Sequence, residues 1–348
     1  MNLDEIKITP LIDTLRLQKI SDEVYFSEKY SNYISNSRLS LINPEQDNDP
    51  QAFFEGLGKH SKYSDALIFG SAVHELVLQP DLFYLCFEVD RPTSKAGFMA
   101  DELYNQFKGE DPTDEAIIAA SDKIDYYKGK MNDNRIAELR DKCSGYWKAR
   151  ADYEKSNTRE GTPIYLDPRS RERVQRCVEA LSKNKKIQDL LHPVGLDGSA
   201  LISENEQAIL LDILVEIPDF DPFVLRLKAK LDNYTVDSMS NTIAINDVKT
   251  IGKILSYFEE NFSKFHYHRE LAIYSWLLSL CAEKFYDMKD CTVTSNCLVV
   301  STIPDYYTKV YQVSKKDMQK GWNEFKKLIL LVAKYVATDY RDFGIWTS

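Results

Sequence analysis

The chain has 348 residues, of which 43% are hydrophobic and 28% charged, and its formal net charge is −10 at pH 7. This composition can build a sizeable core and excludes wholesale disorder, and no apolar run reaches the roughly 18 residues that a membrane span needs. Six cysteines without a C-x-x-C pair argue against a cysteine-based metal site and favour a reducing compartment. The acidic N-terminus has no secretory pattern, so we expect a cytoplasmic protein without membrane contact.

The first half of the chain is predicted to be mainly helical, because apolar residues recur there at helical spacing between cap residues. The predicted segments are a weakly structured leader or short helix over 1–33, a helix over 34–42, a helix from Ser64 or Asp65 to Leu78, and a polar, mainly helical insertion over 95–200. The last helix of the insertion is predicted from Asp167 to Leu191 and carries a stripe of arginines and lysines.

From Leu201 onward the pattern changes to short runs of alternating polar and apolar residues, which are typical of strands. The predicted strands are 208–216, 224–232, 242–250, 297–303 and 308–313, and the predicted helices among them are 258–284 and 315–337. This order predicts an α/β (α+β) fold, in which a mixed central sheet is flanked by helices.

Two of these strands carry an unusual set of charges. Residues 225–232 alternate apolar side chains with charged ones that share a face: Arg226, Lys228, Lys230 and Asp232. Residues 243–250 place Asp247 and Lys249 together on one face. If the strands pair, Asp232 can lie beside them. Two carboxylates and one ammonium at the end of a sheet can hold a divalent metal and a phosphate, which favours metal-dependent cleavage of a phosphodiester.

An exposed sheet edge is the alternative interpretation of the cationic strand, because lysines are common there. Asp247 weighs against it, since it lies between Ile245 and Val248, where an isolated charge would be costly to bury. A metal ion would supply the partner that such a carboxylate needs.

Two helical segments offer further candidates. Tyr267, Glu270 and Tyr274 lie on one stripe of a helix, from which Glu270 can reach the site; aromatic core packing is the alternative for the tyrosines. His74 lies in an apolar helix, where a core histidine is the more common case. The segment is not H-E-x-x-H, so a zincin-type site is excluded.

Five segments in order resemble the PD-(D/E)xK nuclease superfamily, with the closest likeness to RecE-type exonucleases (exonuclease VIII), relatives of lambda exonuclease and the RecB nuclease domain. The segments are 34–39, the G-x-x-x-H run in 69–80, Asp232, the D-x-K-T run 247–250, and 267–274, which resembles Y-H-x-Q-x-A-x-Y. The likeness covers residues 34–340. The family glutamine is Glu270 here, and Glu204 or Glu206 matches a further family acid only loosely.

The resemblance implies roles for individual residues. Asp232, Asp247 and the Val248 carbonyl would bind Mg²⁺, with Mn²⁺ as a substitute, and His74 would be a further ligand. Lys249 would position the attacking water, and Glu270 would support the site. The residues assigned to DNA contact are Arg226, Lys228, Lys230, Tyr267, Tyr274, Arg173 and Arg176.

The resemblance also implies a restriction-endonuclease-like fold, with a leader over 1–33, a single exonuclease domain over 34–348, and its catalytic sheet and motif helix over 201–314. The expected activity is 5′→3′ digestion of linear double-stranded DNA by a homo-oligomeric ring that works with a single-strand annealing protein, and a phage-encoded origin in a bacterial cytoplasm would fit. Three alternatives stay open, of which the first two are a DNA-binding protein with a weakened nuclease fold, and an endonuclease or single-strand nuclease. An unrelated α/β protein is the third.

Overall fold

The computed structural model describes residues 3–45, 53–54, 65–80, 91–127, 129–156, 166–195, 198 and 201–337. The chain divides into two compact units, one of residues 1–61 with 180–348 and one of residues 62–179. Within the described ranges, none of the helices combines the length and the apolar character needed to cross a membrane.

The first unit is built on a seven-stranded mixed sheet, which confirms the predicted α/β (α+β) class. Its strands are β1 (Lys7–Pro10), β2 (Arg16–Lys19), β3 (Ile202–Glu216), β4 (Phe223–Asp237), β5 (Thr242–Ile251), β6 (Thr292–Ser301) and β7 (Thr308–Gln312). The order is β1-β3-β4-β5-β6-β7, and β2 pairs with a second stretch of the same β3 edge. Only β5 and β6 run parallel among these pairs; the others are antiparallel.

The helices are described by their bounds in chain order. They are α1 (Asp22–Tyr25), α2 (Asn36–Ser40), α3 (Asp65–Leu78), α4 (Ser94–Phe107), α5 (Asp114–Lys123), α6 (Asp133–Ser156), α7 (Pro168–Lys183), α8 (Lys185–Leu191), α9 (Phe258–Lys264), α10 (Tyr267–Tyr286) and α11 (Lys315–Ala337). Within the range 95–200, the residues that the structure describes are mainly helical.

Helices α10 and α11 pack together and close one face of the sheet with apolar side chains. Leu271 and Leu277 of α10 and Phe325 of α11 are fully buried in the core that the sheet shares. Gly321 lies where a Cβ would collide with the backbone of His268. Because only glycine avoids that collision, α11 can approach the first turn of α10 closely.

A row of buried asparagines fixes the register of the central strands. Asn246 donates to Asn233 Oδ1 at 2.8 Å, and Asn296 donates to Asn246 Oδ1 at 3.1 Å. Asn246 also donates to the Leu190 carbonyl at 2.9 Å, so α8 covers this face. Since side chains alternate along a strand, the neighbouring Asp247 points to the opposite face, toward α10.

Three local expectations were wrong. The segment 1–33, expected as a weakly structured leader or short helix, contributes β1 and β2, four-residue strands that gain stability from pairing with β3. The helix predicted over 167–191 ends at Lys183 and restarts at Lys185, because Asn184 accepts from the Ile187 amide and caps α8. The helix predicted over 258–284 is likewise interrupted, with His266 in the left-handed region at φ 56°.

The second unit, described by itself, has its own helical core. Trp147 of α6 is buried against α4, and its indole donates to the Ala100 carbonyl at 2.9 Å. Asp101 lies between two guanidinium groups, 2.7 Å from Arg91 and 3.0 Å from Arg150. These contacts join α4 and α6.

Candidate active site

The carboxylates of Asp232 and Asp247 lie opposite each other where β4 and β5 begin to separate. The paired register ends at Asn233 and Asn246, and each aspartate is the next residue beyond that pair. The Val248 amide, which has no strand partner on this side, donates to Asp232 Oδ2 at 2.7 Å. The side chain of Asp232 therefore takes the place of a backbone acceptor, which fixes its carboxylate beside Asp247.

Asp247 is a buried carboxylate with an incomplete set of hydrogen bonds. It is 2% exposed. Lys249 Nζ donates to Oδ1 at 3.1 Å and lies 2.9 Å from Oδ2, but Oδ2 accepts no aligned hydrogen bond from any described residue. Burial raises the pKa of Asp247 to about 7; Asp232 and Glu270 act in the same direction, and Lys249 opposes them. A cation between these acids would remove that cost.

Lys249 is held between two carboxylates over an aromatic ring. Its Nζ lies 3.5 Å from Glu270 Oε2 and 4.7 Å from the centre of the Tyr267 ring. Although burial acts in the opposite direction, Asp247 and Glu270 hold the pKa of Lys249 well above its ordinary value. The side chain is therefore a cation at neutral pH and can stabilise negative charge.

Helix α10 brings Glu270 and two tyrosines to the same face of the sheet. The Tyr274 hydroxyl donates to Glu270 Oε1 at 3.1 Å. Burial, followed by the charge of Glu270, raises the pKa of Tyr274 well above its ordinary value. Burial also raises the pKa of Tyr267, to about 12. Both hydroxyls keep their protons, so Tyr274 acts as a fixed donor that orients Glu270.

Glu206 joins the same cluster from β3. The register on either side of it places Glu206 across from Asp232. Its backbone has φ 56°, which is uncommon for a residue other than glycine. Burial and the charge of Asp232 raise the pKa of Glu206. Of the two acids that the sequence left open, Glu206 is the one that adds negative charge beside Asp232.

Two of the predicted DNA-contacting cations are paired within the first unit. Lys230 Nζ lies 2.7 Å from Glu206 Oε2 and is also paired with Asp22. Arg226 lies 3.7 Å from Asp212, and its side chain is 35% exposed. Arg226 is the more accessible of the two, and contact with DNA stays a prediction for both.

Lys228 is buried beneath the N-terminal segment. Its ammonium donates to the carbonyls of Tyr25 at 2.9 Å and Tyr30 at 3.1 Å, and it lies 4.6 Å from the centre of the Tyr25 ring. Burial lowers the pKa of Lys228 to about 8, and Arg38 adds to this effect. In this arrangement the ammonium binds backbone carbonyls. Its predicted DNA contact is untested.

Three predicted site residues belong to the second unit. His74 is half-buried on α3, and its role as a metal ligand stays a prediction. The guanidinium of Arg173 lies 4.9 Å from the centre of the Phe69 ring. Arg176 is 54% exposed and lies 3.6 Å from Glu179. The exposed guanidinium of Arg176 is compatible with a surface contact.

No protein-family model matches the chain, and no curated protein matches it. Among solved structures, it is similar to a protein from Eubacterium rectale described as a "Putative exonuclease", with 9% identity and a TM-score of 0.37, over 93% of this chain and 89% of that one. A similarity this distant establishes neither the family nor the function.

Proposed function

We propose that the protein is a metal-dependent phosphodiesterase that degrades DNA as an exonuclease. The observation that carries the proposal is the buried Oδ2 atom of Asp247, which accepts no aligned hydrogen bond from the described residues. It lies within a cluster of acids in which Lys249 is the nearest cation. Surplus buried negative charge is costly in a protein that has no use for it, and such perturbed acids are concentrated at functional sites.

The donor set fits a hard divalent cation. Asp232, Asp247 and the Val248 carbonyl offer oxygen atoms only, which are the ligands that Mg²⁺ and Mn²⁺ prefer. Glu206 and Glu270 add negative charge to the same cluster. When bound, such an ion supplies Lewis-acid activation of the phosphate and of a water nucleophile.

The side chains of the chain itself have separate roles in this proposal. The Lys249 ammonium binds a phosphate oxygen and stabilises the charge that develops there, because it stays protonated between two acids. Tyr274 holds one oxygen of Glu270, so that the other faces Lys249. The Val248 amide fixes one oxygen of Asp232, so that the carboxylate has a defined orientation.

The finer features of the proposal are supported by the resemblance of the motifs to RecE-type exonucleases. They are 5′→3′ polarity on linear duplex DNA, a 3′ single-stranded product, a homo-oligomeric ring and a partner that anneals single strands. Arg226 and Arg176 are the cations that we assign first to phosphate contact, because their side chains are 35% and 54% exposed.

The test is Mg²⁺-dependent release of acid-soluble nucleotides from linear duplex DNA, run beside covalently closed circular DNA. Lys249→Ala is expected to lower the rate about 10³-fold, since it removes the cation that faces the phosphate. Lys253→Ala is the matched control, because Lys253 is exposed and lies just beyond the same strand. Its rate is expected to match that of the wild-type protein.

Each outcome leads to a different conclusion. Release from linear DNA alone, with loss in Lys249→Ala, supports the exonuclease. Cleavage of the circle indicates an endonuclease. DNA binding without cleavage, with Mg²⁺ or Mn²⁺, favours a binding protein and directs attention to Glu270, whose contact with Lys249 would then hold the site inactive.

A further inference from the structure

Three side chains with metal-binding atoms converge outside the acid cluster, between the start of α10 and the middle of α11. One ring nitrogen of His266, one ring nitrogen of His268 and a carboxylate oxygen of Glu324 all lie within 4.8 Å of one another. Their side chains are 7%, 2% and 15% exposed. Both rings approach the same carboxylate, so the three groups already share one small volume.

The orientation of His266 is the second observation. Its Nδ1 lies 2.6 Å from Glu324 Oε1, but it forms no aligned hydrogen bond with any residue that the structure describes. The two atoms are therefore side by side and do not point at each other. Ligand atoms that share a metal ion have this relation, since each is directed at the ion. A bound ion would also satisfy a buried nitrogen that is otherwise costly.

The surroundings hold the carboxylate of Glu324 in place. Arg269 donates to Glu324 Oε1 at 2.8 Å, and Asn43 donates to the same oxygen at 3.2 Å. The other oxygen, Oε2, is hydrogen-bonded to His268 Nε2 at 2.8 Å, and an ion would replace the proton of that hydrogen bond. Arg269 is itself fixed by Asn36, to which its Nε donates at 2.7 Å. Metal-ligating carboxylates are usually oriented by outer contacts of this kind.

We propose that His266, His268 and Glu324 form a structural site for a zinc-class ion, distinct from the site at Asp247. Two imidazoles and one carboxylate are a donor set that zinc takes readily, whereas Mg²⁺ prefers oxygen ligands. The ion would connect α10 to α11 at the turn that precedes Glu270. The inference does not depend on nuclease activity.

Neighbouring cations limit the expected affinity. The Arg269 guanidinium contacts the same carboxylate, and Lys320 and Lys327 line a groove of about 750 Å³ that Glu324 also lines. These positive charges oppose binding of the ion. We therefore expect a dissociation constant on the order of 1 μM, weaker than that of a site without neighbouring cations.

The test is zinc titration of the full-length, metal-stripped protein against a chromophoric chelator. The wild type, Asp247→Asn and His192→Ala are expected to bind about one zinc each, because the first variant alters only the acid cluster and His192 is an exposed histidine. His266→Ala is expected to bind at least about 30-fold more weakly, since a ligand is lost. Near-UV circular dichroism checks that each variant is folded.

Two results would overturn the site: no zinc bound by the wild type, or zinc lost in Asp247→Asn and kept in His266→Ala. If His266→Ala does not fold, X-ray absorption at the zinc edge of loaded Asp247→Asn decides the question. Scattering from two imidazoles is expected, and a shell of oxygen atoms without imidazole would overturn the proposal. Neither readout uses DNA, so failure here is distinguishable from failure of the proposed nuclease.

Discussion

Two clusters of buried charge, one around Asp247 and one around Glu324, contact the first turn of α10. The pKa values of these two carboxyl groups are shifted in opposite directions. On the sheet side, burial and neighbouring acids raise the pKa of Asp247 to about 7. In the cluster with α11, Glu324 is also largely buried, but hydrogen bonding by His268 and the charge of Arg269 overcome burial and lower its pKa to about 2. The two carboxylates differ in burial, which is deeper for Asp247, and in the number and charge of the groups that donate to them.

This difference distinguishes a site that needs a ligand from a contact that supports the fold. The Asp247 cluster has surplus negative charge, so its metal-free form is destabilised, and the proposed divalent cation would offset that cost. The Glu324 cluster contains its own counter-charge in Arg269, so it joins α10 to α11 even in the metal-free form. A metal there would reinforce an existing connection, whereas a metal at Asp247 would relieve repulsion.

The largest expected effect is on the rate of DNA cleavage, which should depend on the Asp247 cluster much more than on the Glu324 cluster. Asp247→Asn is expected to lower the rate of DNA cleavage at least about 10³-fold, because it removes a charged oxygen ligand. Glu324→Gln should lower it less than about 10-fold, since Glu324 acts only through α10. Nuclease assays at saturating Mg²⁺ measure both, with the exposed Asp221→Asn as control. Equal losses in the two variants would contradict the distinction.

The second effect is on the free energy of unfolding and concerns the Glu324 cluster. Glu324→Gln is expected to lower the free energy of unfolding by about 3 kcal/mol, because it leaves the fully buried Arg269 without its counter-charge. Urea denaturation of the metal-free protein at pH 7 measures this loss. Glu259→Gln, an exposed acid near α10, should change stability by less than about 0.5 kcal/mol. If Glu324→Gln also lost less than about 0.5 kcal/mol, Arg269 would not need the charge of Glu324 as its partner.

Much of the first unit could be predicted from local patterns. The bounds of α11 match the predicted 315–337, and β4 and β5 contain the predicted strands, because long periodic segments carry a strong signal. β1 and β2 could not be predicted in the same way. They are four residues long, and their stability comes from β3, about 200 residues away in sequence.

The candidate site shows the same division. The alternation that placed Asp247 and Lys249 on one face, and the helical stripe that carried Glu270, were visible in the sequence, and the structure brings these side chains together. The partners of Lys228 and the position of Glu206 depend on contacts between distant segments. An exposed sheet edge was the alternative interpretation of the cationic strand. It does not hold for Lys228, because the N-terminal segment folds over this residue and buries it.

Lys228 is a third buried charge, and it differs from both clusters in its partners. Its described hydrogen bonds go to backbone carbonyls and not to a carboxylate. Burial, with a contribution from Arg38, lowers its pKa to about 8 from 10.5 in the unfolded chain. Below pH 8 the ammonium is charged in the folded protein, and the full cost of burying that charge lowers the free energy of unfolding. Between pH 8 and 10.5 the unfolded chain binds more protons than the folded protein, so the free energy of unfolding rises with pH. Relative to Lys228→Met, the wild type should gain about 2 kcal/mol of unfolding free energy over that range.

Urea denaturation at pH 7 to 10 measures this difference between the two proteins. The difference should be constant between pH 7 and 7.5, where the ammonium is charged in both the folded and the unfolded states. Lys253→Met serves as the control, since that lysine is exposed and its charge is solvated in both states. A difference that stays constant up to pH 10, or that moves against the wild type, would contradict the burial argument.

The smallest expected effect is the most specific, because its sign depends on the metal. In EDTA at pH 8, Asp247→Asn should raise the free energy of unfolding by about 1 kcal/mol, since it removes a buried charge that Asp232 and Glu270 repel, and loss of the contact with Lys249 offsets part of the gain. Glu324→Gln changes stability in the opposite direction. In saturating Mg²⁺ the wild type should become the more stable protein, because only the intact cluster gains from the ion. Thermal unfolding in EDTA and in Mg²⁺ measures both signs, and an unchanged order would show that the acid cluster does not bind the ion.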